Sequence, residues 1–216
     1  DRTRSLPLAG VQALLSGQPV SLTAFRDESI ADYVARVLRE HDISVIYVFS
    51  GQMGQYVPSD WKGRLLIDFV DVDSAKFEAY SGAGNPLMRL INAREGRLLA
   101  AEERRLAARA DASLLVSDEE AELFASRLSQ PAKVVGLFNG INTRRFDPFT
   151  VQPDPVMQAM PGPRLIFTGQ MDYQPNIDAV VRAATRLMPR IRAVMPEATL
   201  HIVGRGPTAQ VRALDG

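Results

Sequence analysis

Apolar and polar positions divide this chain into short apolar runs and longer runs at helical spacing. Leu6 to Leu15 is a weakly patterned apolar segment that predicts a short helix. Ser21 to Glu40 reads as one helix through the stripe Ile30, Val34, Val37 and Leu38, with Asp27 or Ser29 near its start and His41-Asp42 closing it. Ile43 to Phe49 is almost continuously apolar and β-branched, the pattern of a central parallel strand. Leu65 to Val70 predicts a second strand, Leu114 to Val116 a third and Val134 to Phe138 a fourth, with a helix at Glu119–Leu128. Asn85-Pro86 opens a long helix to about Ala110, with Leu87, Leu90, Ile91, Leu98 and Leu106 on one side. Arg94, Glu95, Arg97, Glu102, Glu103, Arg104 and Arg105 fall mostly on the other, reading as a solvated face with Glu102 and Arg105 at pairing distance.

The pattern breaks between Asp147 and Pro163. Pro148, Pro153, Pro155, Pro161 and Pro163 fall there with Gly162 and no apolar period, which predicts a linker over 149–162. Beyond it, Arg164 to Thr168 predicts a buried strand ending at Gly169. Pro175-Asn176 then reads as a helix start, with Asn176 the cap and Asp178 in the first turn. Ile177, Val180, Val181, Ala184, Leu187 and Ile191 recur at helical spacing, Pro189 should kink or interrupt the run, and Pro196 ends it. Thr199 to Val203 is a further strand, closed by Gly204-Arg205-Gly206-Pro207. This strand–helix–strand unit carries a glycine at the carboxyl end of each strand, the edge at which parallel sheets bind ligands. The fold expected is α/β with Rossmann-like parallel sheets, residues 1–148 in one domain and 163–216 in the start of another.

Composition narrows the field. The chain has 216 residues, 46 % apolar and 23 % charged, enough for a buried core, and zero formal net charge argues against a nucleic-acid partner. With no cysteine and only His41 and His201, neither a thiolate nor a histidine-rich metal site is expected. No apolar run approaches the roughly 18 residues of a membrane span, and the opening residues do not read as a signal peptide, so a cytoplasmic protein is expected.

Four strings point to a family. Phe167-Thr-Gly-Gln-Met-Asp-Tyr-Gln-Pro-Asn-Ile-Asp-Ala179 and Ile202-Val-Gly-Arg-Gly-Pro207 resemble the opening of the donor domain of family 4 glycosyltransferases, and more narrowly the sugar transferases linked to exopolysaccharide and exosortase systems. Ala112-Ser-Leu-Leu-Val-Ser-Asp-Glu-Glu-Ala-Glu122 resembles that family's strand, serine and acidic helix start. Asn139-Gly-Ile-Asn-Thr-Arg-Arg-Phe-Asp-Pro148 resembles its Asn-Gly-Val-Asp signature. The resemblance implies a GT-B architecture with both domains incomplete, and metal-independent, retaining transfer of a sugar without a cofactor. The donor implied is a nucleotide diphosphate sugar, and the acceptor a saccharide or lipid-linked molecule of the cell envelope. Peripheral association with the inner face of the membrane is compatible with it. The family's glycine-rich opening loop and paired glutamates are not in the sequence, so this polypeptide alone is expected to transfer no sugar.

The resemblance also assigns residues. Gly169, Gln170, Met171 and Asn176, with Gly204, Arg205 and Gly206, match the donor side, where relatives place a cation that this Gly-Gln loop lacks. Gly169 and Asn176 also suit a tight turn and a cap, and Arg205 a solvated loop. Ser50 and Gly51, Ser117 and Glu119, and Asn139 and Gly140 stand at strand ends that would line the acceptor cleft. Asp71 and Asp73 match the position near the reacting centre, able to hold an acceptor hydroxyl or take its proton, although Asp-x-Asp-Ser is also ordinary capping chemistry. Asn139-Gly140 suits a turn with positive φ, and Phe146 would anchor the chain before the linker. Two other readings stay open: a nucleotide-sugar epimerase of the same fold, which lacks the Met-Asp-Tyr-x-Pro-Asn string, and a non-catalytic binding module. A dehydrogenase is disfavoured, since Gly204-x-Gly206 lacks the third glycine of a dinucleotide fingerprint.

Overall fold

A computed structural model describes residues 6–82 and 84–215. The fold is α/β, Rossmann-like, with parallel strands in each of two compact units, Asp1–Gly140 and Ile141–Gly216. Residues 141–148 therefore group with the second unit. They turn on themselves, Asn142 accepting from Arg145 N at 3.0 Å through Oδ1 and from Phe146 N at 3.0 Å through its carbonyl.

The first unit opens with α1 (Leu6–Ser16), α2 (Val20–Ala24) and α3 (Glu28–Glu40), followed by β1 (Val45–Phe49) and a 3₁₀ turn at Gly51–Tyr56. Next come β2 (Arg64–Val70), α4 (Asp73–Ser81), α5 (Pro86–Ala107), β3 (Ala112–Leu115), α6 (Asp118–Ser126) and β4 (Val134–Gly136). The sheet order is β1-β2-β3-β4, every pair parallel. Val48, Leu65, Ile67, Phe69, Leu106, Leu115 and Phe124 make the core between the sheet and its helices. The Phe69 and Phe124 rings meet at 4.6 Å between centroids, tilted by 40°.

Three expectations change here. The helix expected over Ser21–Glu40 is two, because Asp27 takes extended backbone angles and its Oδ1 caps Ser29 N at 2.8 Å, restarting the helix. The Ile43–Phe49 run is an edge strand, not a central one: Val45, Tyr47 and Phe49 are 43, 52 and 63 % exposed. A continuous apolar run records hydrophobicity, not position in the strand order. Third, the charged side of α5 is not uniformly solvated. Glu102 and Arg105 do pair at 2.6 Å, but Glu95 and Glu103 are buried. Glu95 accepts from Val20 N and Ser21 N, each at 2.8 Å, and Glu103 accepts from Ser74 N at 2.9 Å and Ser74 Oγ at 2.5 Å. The caps of α2 and α4, Pro19 and Val72, have no side-chain acceptor, so α5 supplies carboxylates to two helix starts whose N–H groups would otherwise be orphaned.

The second unit holds α7 (Pro155–Ala159), β5 (Arg164–Gln170), α8 (Gln174–Arg182), a π-helical turn (Ala183–Leu187), α9 (Met188–Arg192), β6 (Thr199–Arg205) and α10 (Ala209–Arg212). The proline-rich stretch thus contains a short helix, capped by Asp154 Oδ1 on Val156 N at 2.9 Å and Met157 N at 3.0 Å. Strands β5 and β6 are parallel and in register from Arg164 opposite Thr199 to Gln170 opposite Arg205. Met171, Ile177, Val180 and Val211 form the core beneath them. Pro189 does not stop its helix. The widened π turn just before it absorbs the missing N–H and the clash a proline ring makes one turn back.

Candidate functional site

Each unit presents a cluster where its strands end. In the first, β1 and β2 leave the sheet through residues in unusual backbone conformations. Ser50 has φ 71° and Val70 φ 69°. Positive φ at a β-branched residue costs about 1–3 kcal/mol and persists only where surrounding contacts over-determine it. Asp68 provides those contacts. Its carbonyl accepts from Ser50 N at 2.8 Å, its Oδ1 from Val70 N at 3.0 Å, and its Oδ2 from Tyr47 Oη at 2.6 Å. Asp71 N closes a three-residue turn on Phe69 O at 2.9 Å.

These turns place Ser50, Gln52 and Asp73 in one hydrogen-bonded row. The Ser50 hydroxyl meets Gln52 Oε1, and Gln52 Nε2 donates to Asp73 Oδ2 at 2.6 Å. Asp73 is half-buried in the first turn of α4, and burial pushes its carboxyl above the ordinary range against the opposing hydrogen bond from Gln52. Asp71 is exposed on the turn beside it. Neither aspartate side chain caps α4. Gly51 leaves room for the Phe69 ring, since a Cβ there would lie 3.0 Å from Phe69 Cδ1. The cavity at this edge is about 10 Å³, room for one water rather than a sugar. Behind it Glu103 is pushed above the ordinary carboxylate range by burial, and its partner Ser74 Oγ also accepts from Arg127 Nη2 at 3.1 Å.

The other expected acceptor-side residues stand apart from this row. Ser117 Oγ caps α6 by accepting from Glu120 N at 3.2 Å. The Glu119 carboxyl is held below its ordinary range by its own backbone N–H and then by Ser117. Glu120, not singled out by its sequence, reaches back to accept from Val72 N at 2.9 Å. Asn139 and Gly140 are exposed outside any regular element, and neither takes positive φ. Phe146 anchors nothing, being 59 % exposed.

In the second unit Gly169 and Gly204 meet at the ends of β5 and β6. A Cβ on Gly204 would lie 1.7 Å from Gly169 O, and one on Gly169 would lie 2.8 Å from Asn176 Nδ2. Gly204 is therefore demanded by packing against backbone, whereas Gly169 is crowded only by the end of the Asn176 side chain. Asn176 is not the helix cap. Its Nδ2 donates to Gln170 O at 3.0 Å, while the cap position falls to Tyr173. Two N–H groups of the intervening loop are engaged within the unit, Met171 N donating to Arg205 O at 2.8 Å and Tyr173 N to Gln170 O at 3.3 Å. Met171 itself is a core residue, 1 % exposed, and presents no side chain to a ligand. The parallel register sets Gln170 opposite Arg205, and Arg205 Nη2 donates to Gln170 Oε1 at 3.1 Å. Gly206 follows with φ +67° against the Asp172 carboxylate.

Comparison with known proteins found no matching family model and no matching curated protein. Among the described residues no cluster of histidines and carboxylates is arranged to hold a metal ion, and no helix is long and apolar enough to cross a membrane. What the second unit offers chemically is an exposed guanidinium beside a side-chain amide at a strand end closed by glycines. The first unit offers a hydroxyl, an amide and a carboxyl in series.

Proposed function

We propose that this chain belongs to a glycosyltransferase of GT-B type, moving a sugar from a nucleotide diphosphate sugar to a saccharide or lipid-linked acceptor. The four strings quoted above supply the reading, and one observation carries it: Gly169 and Gly204 meet at the carboxyl end of a parallel pair with Arg205 beside them. The exposed guanidinium at that edge would match the charge of a diphosphate. On the acceptor side, Asp73, its carboxyl raised by burial and held by Gln52 next to Ser50, is the group to take a hydroxyl proton.

The direct test is calorimetric titration of the full chain with a panel of uridine, guanosine and thymidine diphosphate sugars. Saturable binding of one of them, weakened about tenfold by Arg205→Ala, is the expected result. Absence of saturable binding across the panel overturns the proposal.

A further inference from the structure

Strand β1 is an edge of the first unit's sheet, and its outer side is unguarded. Ser44 O accepts from Arg64 N at 2.9 Å and Ser50 N donates to Asp68 O at 2.8 Å, so the even-numbered positions here turn their backbone groups towards β2. Backbone groups alternate sides along a strand, which leaves the N–H and C=O of Val45, Tyr47 and Phe49 facing away from the sheet. The side chains of these three share one face, opposite the core face taken by Ile46 and Val48, and all three are exposed. Natural edges are blunted by lysine, proline, a bulge or shortness. β1 pairs without a bulge over its five residues, and no charged residue occurs from Ile43 to Ser59. The opposite edge, β4, is only three residues long and ends in Gly136.

Helix α3 adds to the uncovered edge. Residues 41–44 join it to the start of β1, and its N-cap Asp27 donates its N–H at 2.7 Å to Tyr56 Oη, beyond the end of β1. The helix therefore runs back along the strand. Its apolar stripe of Ile30, Tyr33, Val34, Val37 and Leu38 contains no buried residue.

Two copies of β1 fit one another. An antiparallel pair centred on Tyr47 sets Tyr47 against its counterpart and Val45 against Phe49 of the second copy. In that register every outward N–H and C=O of Val45, Tyr47 and Phe49 finds a partner. Apolar side chains meet apolar side chains, and no like charges are opposed along the strand. A lipid surface satisfies none of those backbone groups, and the uncharged stretch offers nothing to a polyanion.

We propose that this chain forms a two-fold dimer through antiparallel pairing of β1 with β1, joining the two four-stranded sheets into one. Pairing at this edge is independent of the sugar-transfer reading, so either can fail alone. Sedimentation equilibrium of the full chain over a wide range of concentration should show a monomer–dimer equilibrium. Val45→Pro removes an outward N–H while leaving the bonds to β2, and should weaken the dimer at least about tenfold. Amide protection retained across β2 shows that this variant is folded. The chain has no cysteine, so single introduced thiols report the register. Under mild oxidation Tyr47→Cys should cross-link into a covalent dimer, because opposed Cα atoms in such a pair lie about 5.5 Å apart. Val45→Cys, displaced along the strand from its counterpart, should not. Co-sedimentation with phosphatidylglycerol vesicles tests for a bilayer at the same edge. A chain that stays monomeric overturns the proposal, as does a dimer unaffected by Val45→Pro or equal cross-linking of the two thiol variants. So does an open-ended polymer, or vesicle binding in place of a dimer.

Discussion

Gln52 Nε2 lies 2.6 Å from Asp73 Oδ2, joining the turn after β1 to the first turn of α4. The bond favours the charged carboxyl, yet burial outweighs it and Asp73 titrates above the ordinary range. Glu103, a buried carboxyl on the adjoining helix α5, is shifted the same way for the same first reason. Both groups bind a proton more tightly folded than unfolded. Stability they contribute is therefore complete below the ordinary carboxylate range and is lost as pH rises through the raised values.

The chain should accordingly lose stability from the ordinary carboxylate range upward towards neutrality, as followed by urea denaturation at a series of pH values. Asp73→Asn should flatten that slope, since asparagine keeps an oxygen for Gln52 without a charge to desolvate. A slope unchanged by Asp73→Asn would show that Asp73 is not its source.

Glu95→Ala and Glu103→Ala should each destabilise the first unit by about 1–3 kcal/mol, the cost of leaving buried donors unpaired. Glu95→Ala strands two backbone N–H groups at the start of α2, and Glu103→Ala strands Ser74 N and Oγ at the start of α4. Denaturant midpoints measure this. Neutral outcomes would place both glutamates in solvent, where the sequence pattern had put them.

Phe124→Ala should cost about 3–5 kcal/mol, since the ring is 1 % exposed and stacks against Phe69. Hydrogen exchange should report the loss across β2 and β3.

Gly204→Ala should act on the other unit. Its Cβ would overlap Gly169 O at 1.7 Å, forcing β5 and β6 apart. The expected result is loss of amide protection in Thr199–Arg205 with protection in Arg64–Val70 retained, and a cost of about 1–3 kcal/mol or more. Full protection of both strands would mean that the close approach is not required.

Much of the fold was legible in the sequence because local chemistry fixes it. Asn85-Pro86 starts α5, with Asn85 Oδ1 accepting from Met88 N at 2.9 Å, as a capping residue before a proline dictates. The apolar runs from Arg164 and Thr199 marked where β5 and β6 begin, though both strands continue through their glycines to Gln170 and Arg205, and alternating runs of strand and helix pattern implied parallel sheets. The candidate site was legible only as a set of strand ends. Asp71 and Asp73 were identifiable as acids after a strand, but Gln52 as the partner of Asp73 was not, because 21 positions separate them. Asn176 was misread as a cap because capping and loop bracing use the same side-chain amide, and only the path of Gln170 shows which it does.

Sequence by itself determined where several elements begin, α5 among them, and that the sheets are parallel, since capping, helical period and strand composition act over a few residues. Tertiary structure alone decided which apolar strand is an edge, which acids on α5 are buried, and that Arg205 stands beside Gln170. Each of these depends on a partner far away along the chain, and neither residue type nor spacing encodes what the fold will bring against it.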